Sequence, residues 1–147
     1  MTWDAEFRPR ALPRLAIAVA GVLALAGILV GVFNNRSSGA FIRAADQIAY
    51  AGIALVLAAA IVVIATRPRL RVGPAGLAVR NVLEERTIPW SEVVGLSFPV
   101  GKRWPRVELQ AYEYVTVLAI QSFDRDRAVD AMDTVRELME RYRPDRG

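Results

Sequence analysis

The chain has 147 residues and a formal net charge of +4; 54% of its residues are apolar, yet 23% are charged. That mixture implies segregation into membrane-soluble and water-soluble parts. With no Cys and no His, disulfides, thiolate metal sites and unperturbed titration near neutral pH are all excluded. No cofactor or metal site is expected.

Residues 1–14 form a short N-terminal segment carrying Arg8, Arg10 and Arg14. Residues 15–33, LAIAVAGVLALAGILVGVF, then run without a charge or a strongly polar group, and residues 48–65, IAYAGIALVLAAAIVVIA, repeat the pattern. A helix rises about 1.5 Å per residue, so each run crosses most of a hydrocarbon core about 30 Å thick. Both are apolar all round, as lipid contact requires. A cleaved signal peptide fits poorly: the first run exceeds a usual h-region, no A-x-A-like site follows Phe33, and a second span comes soon after. We expect a transmembrane hairpin joined by a short external loop, residues 34–47. Arg8, Arg10 and Arg14 flank one end and Arg67, Arg69 and Arg71 the other, against Arg36 and Arg43 in the loop. The positive-inside rule then gives a multi-pass protein of the cell membrane with both termini cytoplasmic. Gly21, Gly27, Gly31, Gly52 and residues 58–60 would allow close helix packing, within the hairpin or against a partner.

From residue 66 the texture changes. The segments RPRLRV, LAVRN, RTIPW, EVVGLSF, RVELQ and YVTVLAI are short and rich in Val, Ile, Leu and aromatics, with turn signals such as GPAG and PVGKRW between them. They predict about six strands in a meandering antiparallel arrangement. Alternation puts Val94, Leu96 and Phe98 on one face of their strand and Val93, Gly95 and Ser97 on the other. The strand over residues 114–120 is apolar on both faces. Pro105 removes a backbone donor and predicts an edge or bulge at the start of its strand. A C-terminal helix follows, with Ala128, Met132, Val135, Met139 and Tyr142 on one stripe and Val129 and Leu138 flanking it. Asp124 suits its N-cap, Phe123 and Ala128 a hydrophobic staple, and Pro144 its stop.

The fold class is therefore a membrane α-hairpin plus an α+β domain at residues 66–147, a small antiparallel β barrel or sandwich closed by an amphipathic helix. That is the architecture of pleckstrin-homology (PH)-like domains. The ordered words LRVGPAGLAVRN, RTIPWSEVVGLSF, GKRWPRVEL and VTVLAIQ, followed by the helix after RDRAV, resemble the bacterial PH-like family named for low molecular weight protein antigen 6. Members of that family typically carry two membrane spans ahead of the domain. The resemblance implies a fold and a membrane address, and no activity.

Candidate functional residues are few. Trp90, in IPWSEV, brings the ~150–250 Å² of a large aromatic to a domain poor in large side chains, and reads as a structural core or corner plug. A lipid-interface role is the other reading of an indole so near the membrane. Lys102, Arg103, Trp104 and Arg106 form a basic loop of the composition that faces membranes or anions, although ordinary surface Arg has the same look. Arg67, Arg69 and Arg71 form a second cluster at the membrane exit, most simply a topology signal. From Arg67 onward fourteen Arg and Lys face twelve Asp and Glu, so any attraction to anionic lipid must be local.

No catalytic constellation is present: Glu84 and Glu85 fall at a hairpin tip, Asp124 and Asp126 at a helix start, and nothing in the spacing pairs Ser91 or Ser97 with Lys102. Two functions remain. One is a membrane-anchored adaptor or accessory subunit that binds a protein partner at the inner face, within a larger integral membrane complex or alone. The alternative is binding of anionic phospholipid headgroups at the inner leaflet. Nucleic acid is not an expected partner, since net charge is low and no basic–aromatic stripe runs along the strands.

Overall fold

The computed structural model describes residues 2–34 and 42–143. The chain divides into two compact units, one of residues Leu12–Thr66, the other of Met1–Ala11 together with Arg67–Gly147.

Both apolar runs are helices, α1 (Ala11–Asn34) and α2 (Ile42–Thr66). Within them Ala11–Phe33 and Ala45–Thr66 are long and apolar enough to cross a membrane, with a mean hydropathy of 2.7 each. Their large side chains, among them Leu15, Val22, Leu25, Ile53 and Val56, are exposed, and the buried positions are alanines such as Ala16, Ala20, Ala54 and Ala58. This is the distribution expected where lipid is the solvent and small residues let helices approach. At Gly27 there is no room for a side chain: a Cβ there would stand 2.3 Å from the Cβ of Ala54. Gly21 and Gly52 face open space, so only some of the small residues serve packing. α2 starts at Ile42, inside the stretch expected as loop; Arg36 of that loop lies outside the described residues.

The second unit holds two antiparallel sheets. The first has the order β1 (Ala5–Phe7), β2 (Arg69–Gly73), β3 (Gly76–Arg80), β4 (Glu85–Ile88); the second, β5 (Val93–Ser97), β6 (Arg106–Leu109), β7 (Tyr114–Thr116). The six strands expected after residue 66 are present, and the sheets do not close into a barrel. Alternation drives Leu70, Val72, Leu77, Val79 and Ile88 of the first sheet into a core shared with Val93, Val107 and Leu109 of the second. Helix α3 (Asp126–Tyr142) closes the core with Ala128, Ala131, Met132, Val135 and Leu138, and with Met139 and Tyr142 packed at its margin. Each large aliphatic side chain so buried contributes about 1.5–3 kcal/mol. The β2–β3 turn is tight enough to require glycine: Gly76 has φ +136°, and a Cβ there would meet the Ile88 carbonyl oxygen at 2.1 Å.

Several details depart from the sequence expectations. The N-terminal segment is not a bare tail: β1 pairs with β2, Glu6 opposite Arg71 and Phe7 opposite Leu70. A bulge between Val93 and Gly95 shifts the alternation of β5. Val93, Leu96 and Phe98 therefore all reach the core while Val94 is left exposed, because the extra residue resets which face follows. β7 stops at Thr116, and residues 117–121 continue as a buried irregular run in place of a strand covered on both faces. Pro105 precedes the central strand of its sheet, not an edge; placed one residue outside the ladder it costs no donor, and its carbonyl accepts the Val117 N–H at 3.0 Å.

At the start of α3 the N-cap residue is Arg125, with φ 45° and no side-chain cap. The Asp124 carboxylate is used elsewhere, accepting the backbone N–H of Ala11 at 2.9 Å and of Arg10 at 3.4 Å. Phe123 is exposed and makes no staple. The helix ends at Tyr142, and Pro144 lies outside the described residues.

Candidate functional site

Trp90 sits in the turn between β4 and β5, where Glu92 N–H donates to the Pro89 carbonyl at 3.0 Å. Only 5% of it is exposed. Its Nε1–H donates to the Gly73 carbonyl at 2.9 Å, and its ring stacks on Tyr142 with centroids 6.3 Å apart. The Tyr142 hydroxyl in turn donates to the Asp4 carboxylate, which holds the phenol above its usual pKa. One indole thus joins the β4–β5 corner, the β2–β3 turn and the end of α3, and its polar atom is spent on backbone. Nothing of it is presented to a ligand.

The loop between β5 and β6 turns at Gly101, φ 77°, with Lys102 N–H donating to the Pro99 carbonyl at 3.1 Å. Val100 at its tip is fully exposed and Trp104 is 37% exposed. Lys102 and Arg103 are exposed and Arg106 half-buried. The cations do not converge. The Arg103 guanidinium lies 5.3 Å from the Phe123 ring centre, and Arg106 lies 4.3 Å over the ring of Tyr114 on the neighbouring strand. Such contacts contribute about 0.5–1 kcal/mol at exposed sites and hold the planar group in place. Lys102 makes no ion pair among the described residues.

The second basic cluster also disperses. Arg67 donates to the Val82 carbonyl at 3.2 Å. Arg71 lies 3.4 Å from Glu6 and 3.9 Å from Glu85 across the outer face of the first sheet. Arg69 is half-buried opposite Arg80. The Glu6 carboxyl is held below its usual pKa, chiefly by its hydrogen bond from Arg8 at 2.6 Å and with help from the charges of Arg8 and Arg71.

Two features were not singled out from the sequence. Asn81, at the end of β3, donates to the Thr116 carbonyl at 3.0 Å and accepts the Leu118 N–H at 3.3 Å. It joins the first sheet to the end of β7 and fills the ladder position where that strand stops. The other is an apolar groove of about 490 Å³ along α3, walled by Phe98, Ala128, Val129 and Met132 and rimmed by Arg125, Asp126, Asp133 and Arg136. Phe98 directly follows β5, which is paired on one side only, by β6. Val129, 59% exposed, is the apolar side chain that α3 turns away from the core. Its position beside the buried stripe was the one signal of this groove in the sequence.

Comparison with known proteins agrees with this architecture. A family described as bacterial PH domain matches residues 67–138, the span from the start of β2 into α3. Uncharacterized proteins of Mycobacterium tuberculosis and Mycobacterium bovis are 52% identical over 144 residues, covering 97% of this chain and 93% of theirs. No solved structure matches significantly. With two sheets, a closing helix and that match over the same residues, the chain belongs to the bacterial PH domain family.

Proposed function

We propose that the chain is a membrane-anchored adaptor or accessory subunit whose PH-like unit holds a protein partner at the inner face of the membrane. The observation that carries this reading is the groove beside β5. An extended segment adding to the free edge of β5 would gain main-chain hydrogen bonds, and its alternate side chains would enter the space walled by Phe98, Val129 and Met132; this is a recurrent mode of peptide recognition. The partner segment is extended and apolar at alternate positions, and belongs to a protein of the same membrane.

The anchoring part rests on α1 and α2, and on β1. Pairing of β1 with β2 requires the residues before α1 and those after α2 to lie on one side of any bilayer the helices cross. The excess of Arg on those flanks favours the cytoplasmic side. A unit already tethered by two helices gains little from lipid binding as a means of recruitment, and much from a local partner.

The test is gentle native extraction of tagged protein from its host membrane and mass measurement of the intact assembly, for wild type and for Val129→Arg. The side chain of Val129 is exposed, so its replacement leaves the core intact. A stoichiometric protein retained by wild type and lost from the variant is expected. Wild type recovered alone, or a partner held equally by both, refutes the groove as the docking site.

A further inference from the structure

The second sheet turns one face to the core and the other outward. Register partners share a face, so the outer one carries Gly95 and Ser97 of β5, Arg106 and Glu108 of β6, and Tyr114 and Thr116 of β7. Val107 and Leu109, which alternate with them, point into the core. Tyr114 stays 54% exposed, and Val94, put outward by the bulge, 38%. A shallow hollow of about 670 Å³ runs over this face, from Val94 past Arg106 and Glu108 to the β6–β7 turn. That turn holds Ala111 and Tyr112 at φ 61°, a left-handed conformation that glycine favours, and leaves Tyr112 fully exposed at the rim. Strain of this kind gathers at sites that bind.

Arg106 and Glu108 stand two residues apart on β6, about 6.5–7 Å along the strand. They are of opposite sign, and neither makes an ion pair among the described residues. Arg106 lies over the Tyr114 ring, 4.3 Å from its centre; stacking uses the face of the guanidinium and leaves its N–H edge for a carboxylate. A strand with one cation and one anion on the same face is complementary to itself. Let a second copy be turned about a two-fold axis lying in the plane of the face and crossing β6 at Val107. Glu108 of each copy then falls on Arg106 of the other. The same rotation sets Tyr114 against Thr116 and Gly95 against Ser97, so no two bulky side chains collide. An axis along the strand would oppose like charges, and the pattern therefore selects the first.

We propose that this face is the contact of a symmetric dimer of the chain, closed by two reciprocal Arg106–Glu108 pairs. Three short strands make a small interface, of the weak and reversible class. The charges set its register more than its strength. The groove along α3 is walled by side chains on the core side of the same sheet, so dimerisation leaves it open, once per copy. The dimer does not depend on what that groove binds.

The test labels the full chain, carrying Gly147→Cys, with a donor dye in one sample and an acceptor dye in another, in mild detergent. Energy transfer is followed over a concentration series reaching roughly 1 mM, the range of weak complexes. Wild type should show transfer that rises with concentration. Arg106→Glu and Glu108→Arg should each weaken self-association roughly tenfold or more, since both reciprocal pairs become like-charge contacts. Mixed with each other, the two variants should associate about as tightly as wild type, because every facing pair is again opposite. That recovery also shows that each variant is folded. Arg106→Glu/Glu108→Arg, with the signs exchanged, should self-associate within about threefold of wild type. Wild type monomeric throughout the series, association untouched by either reversal, or failure of either rescue overturns the proposal.

Discussion

Trp90→Phe separates a structural indole from one that serves a ligand. The substitution removes the Nε1–H donor, leaving the buried Gly73 carbonyl without the partner it holds at 2.9 Å. An orphaned acceptor of that kind costs about 1–2 kcal/mol. The smaller ring also leaves a void beside Tyr142, for about another 1–2 kcal/mol. The sum, about 2–4 kcal/mol, corresponds to roughly 30- to 900-fold faster exchange of the amides whose opening requires the whole unit to unfold. Hydrogen exchange read by mass spectrometry on the full chain in nanodiscs gives this for β2, β3 and α3 separately. Trp104→Phe is the internal control: that indole is 37% exposed, and its loss should change stability by less than about 0.5 kcal/mol. Exchange in Trp90→Phe within about threefold of wild type would refute the reasoning. Trp90 would then have to be explained by what it binds.

Asn81→Ala removes both bonds that join the end of β3 to residues 116 and 118, at about 1–3 kcal/mol for the pair; exchange should quicken most over residues 114–121, and protection unchanged there would show that the sheets hold together without it. Because the chain has no cysteine, single introduced thiols report topology cleanly. An impermeant maleimide added to intact cells should label Ser38→Cys, in the loop outside the described residues, and spare Tyr112→Cys, which is fully exposed on the PH-like unit; the reverse pattern would invert the orientation.

The features legible in the sequence are those that repeat over a short window. The stripe from Ala128 to Tyr142 recurs every three or four residues and each member meets the core, because helix periodicity depends on near neighbours alone. The strands are legible for the same reason, as short β-branched words between turns. What could not be read are pairings set by distant parts of the chain. β1 has three residues, too few for alternation to show, and its partner lies beyond two long apolar helices. Asp124 has every local mark of a helix cap, yet its acceptors serve Arg10 and Ala11, a use no local code reveals. The bulge at Val93 turns on one extra residue, which puts Val93 on the core side with Leu96 and Phe98 and leaves Val94 exposed. As for candidate sites, the Lys102 loop was legible as composition, but the rings of Phe123 and Tyr114 that hold Arg103 and Arg106 were not.

The β1–β2 pair also sets an order of events during synthesis. β1 leaves the ribosome first, yet β2 is made roughly 60 residues later, which at about 5–20 residues per second means a wait of some 3–12 s. If the two apolar segments cross a bilayer, they enter it in that interval, while the N-terminal residues remain unmatched. Only a nascent chain that has threaded both segments returns β2 to the compartment where β1 is waiting. A chain that has threaded one segment strands the two on opposite sides, leaving a sheet edge uncovered for surveillance proteases to find. For a chain whose two apolar segments cross a bilayer, a strand of three residues thus doubles as a check on insertion.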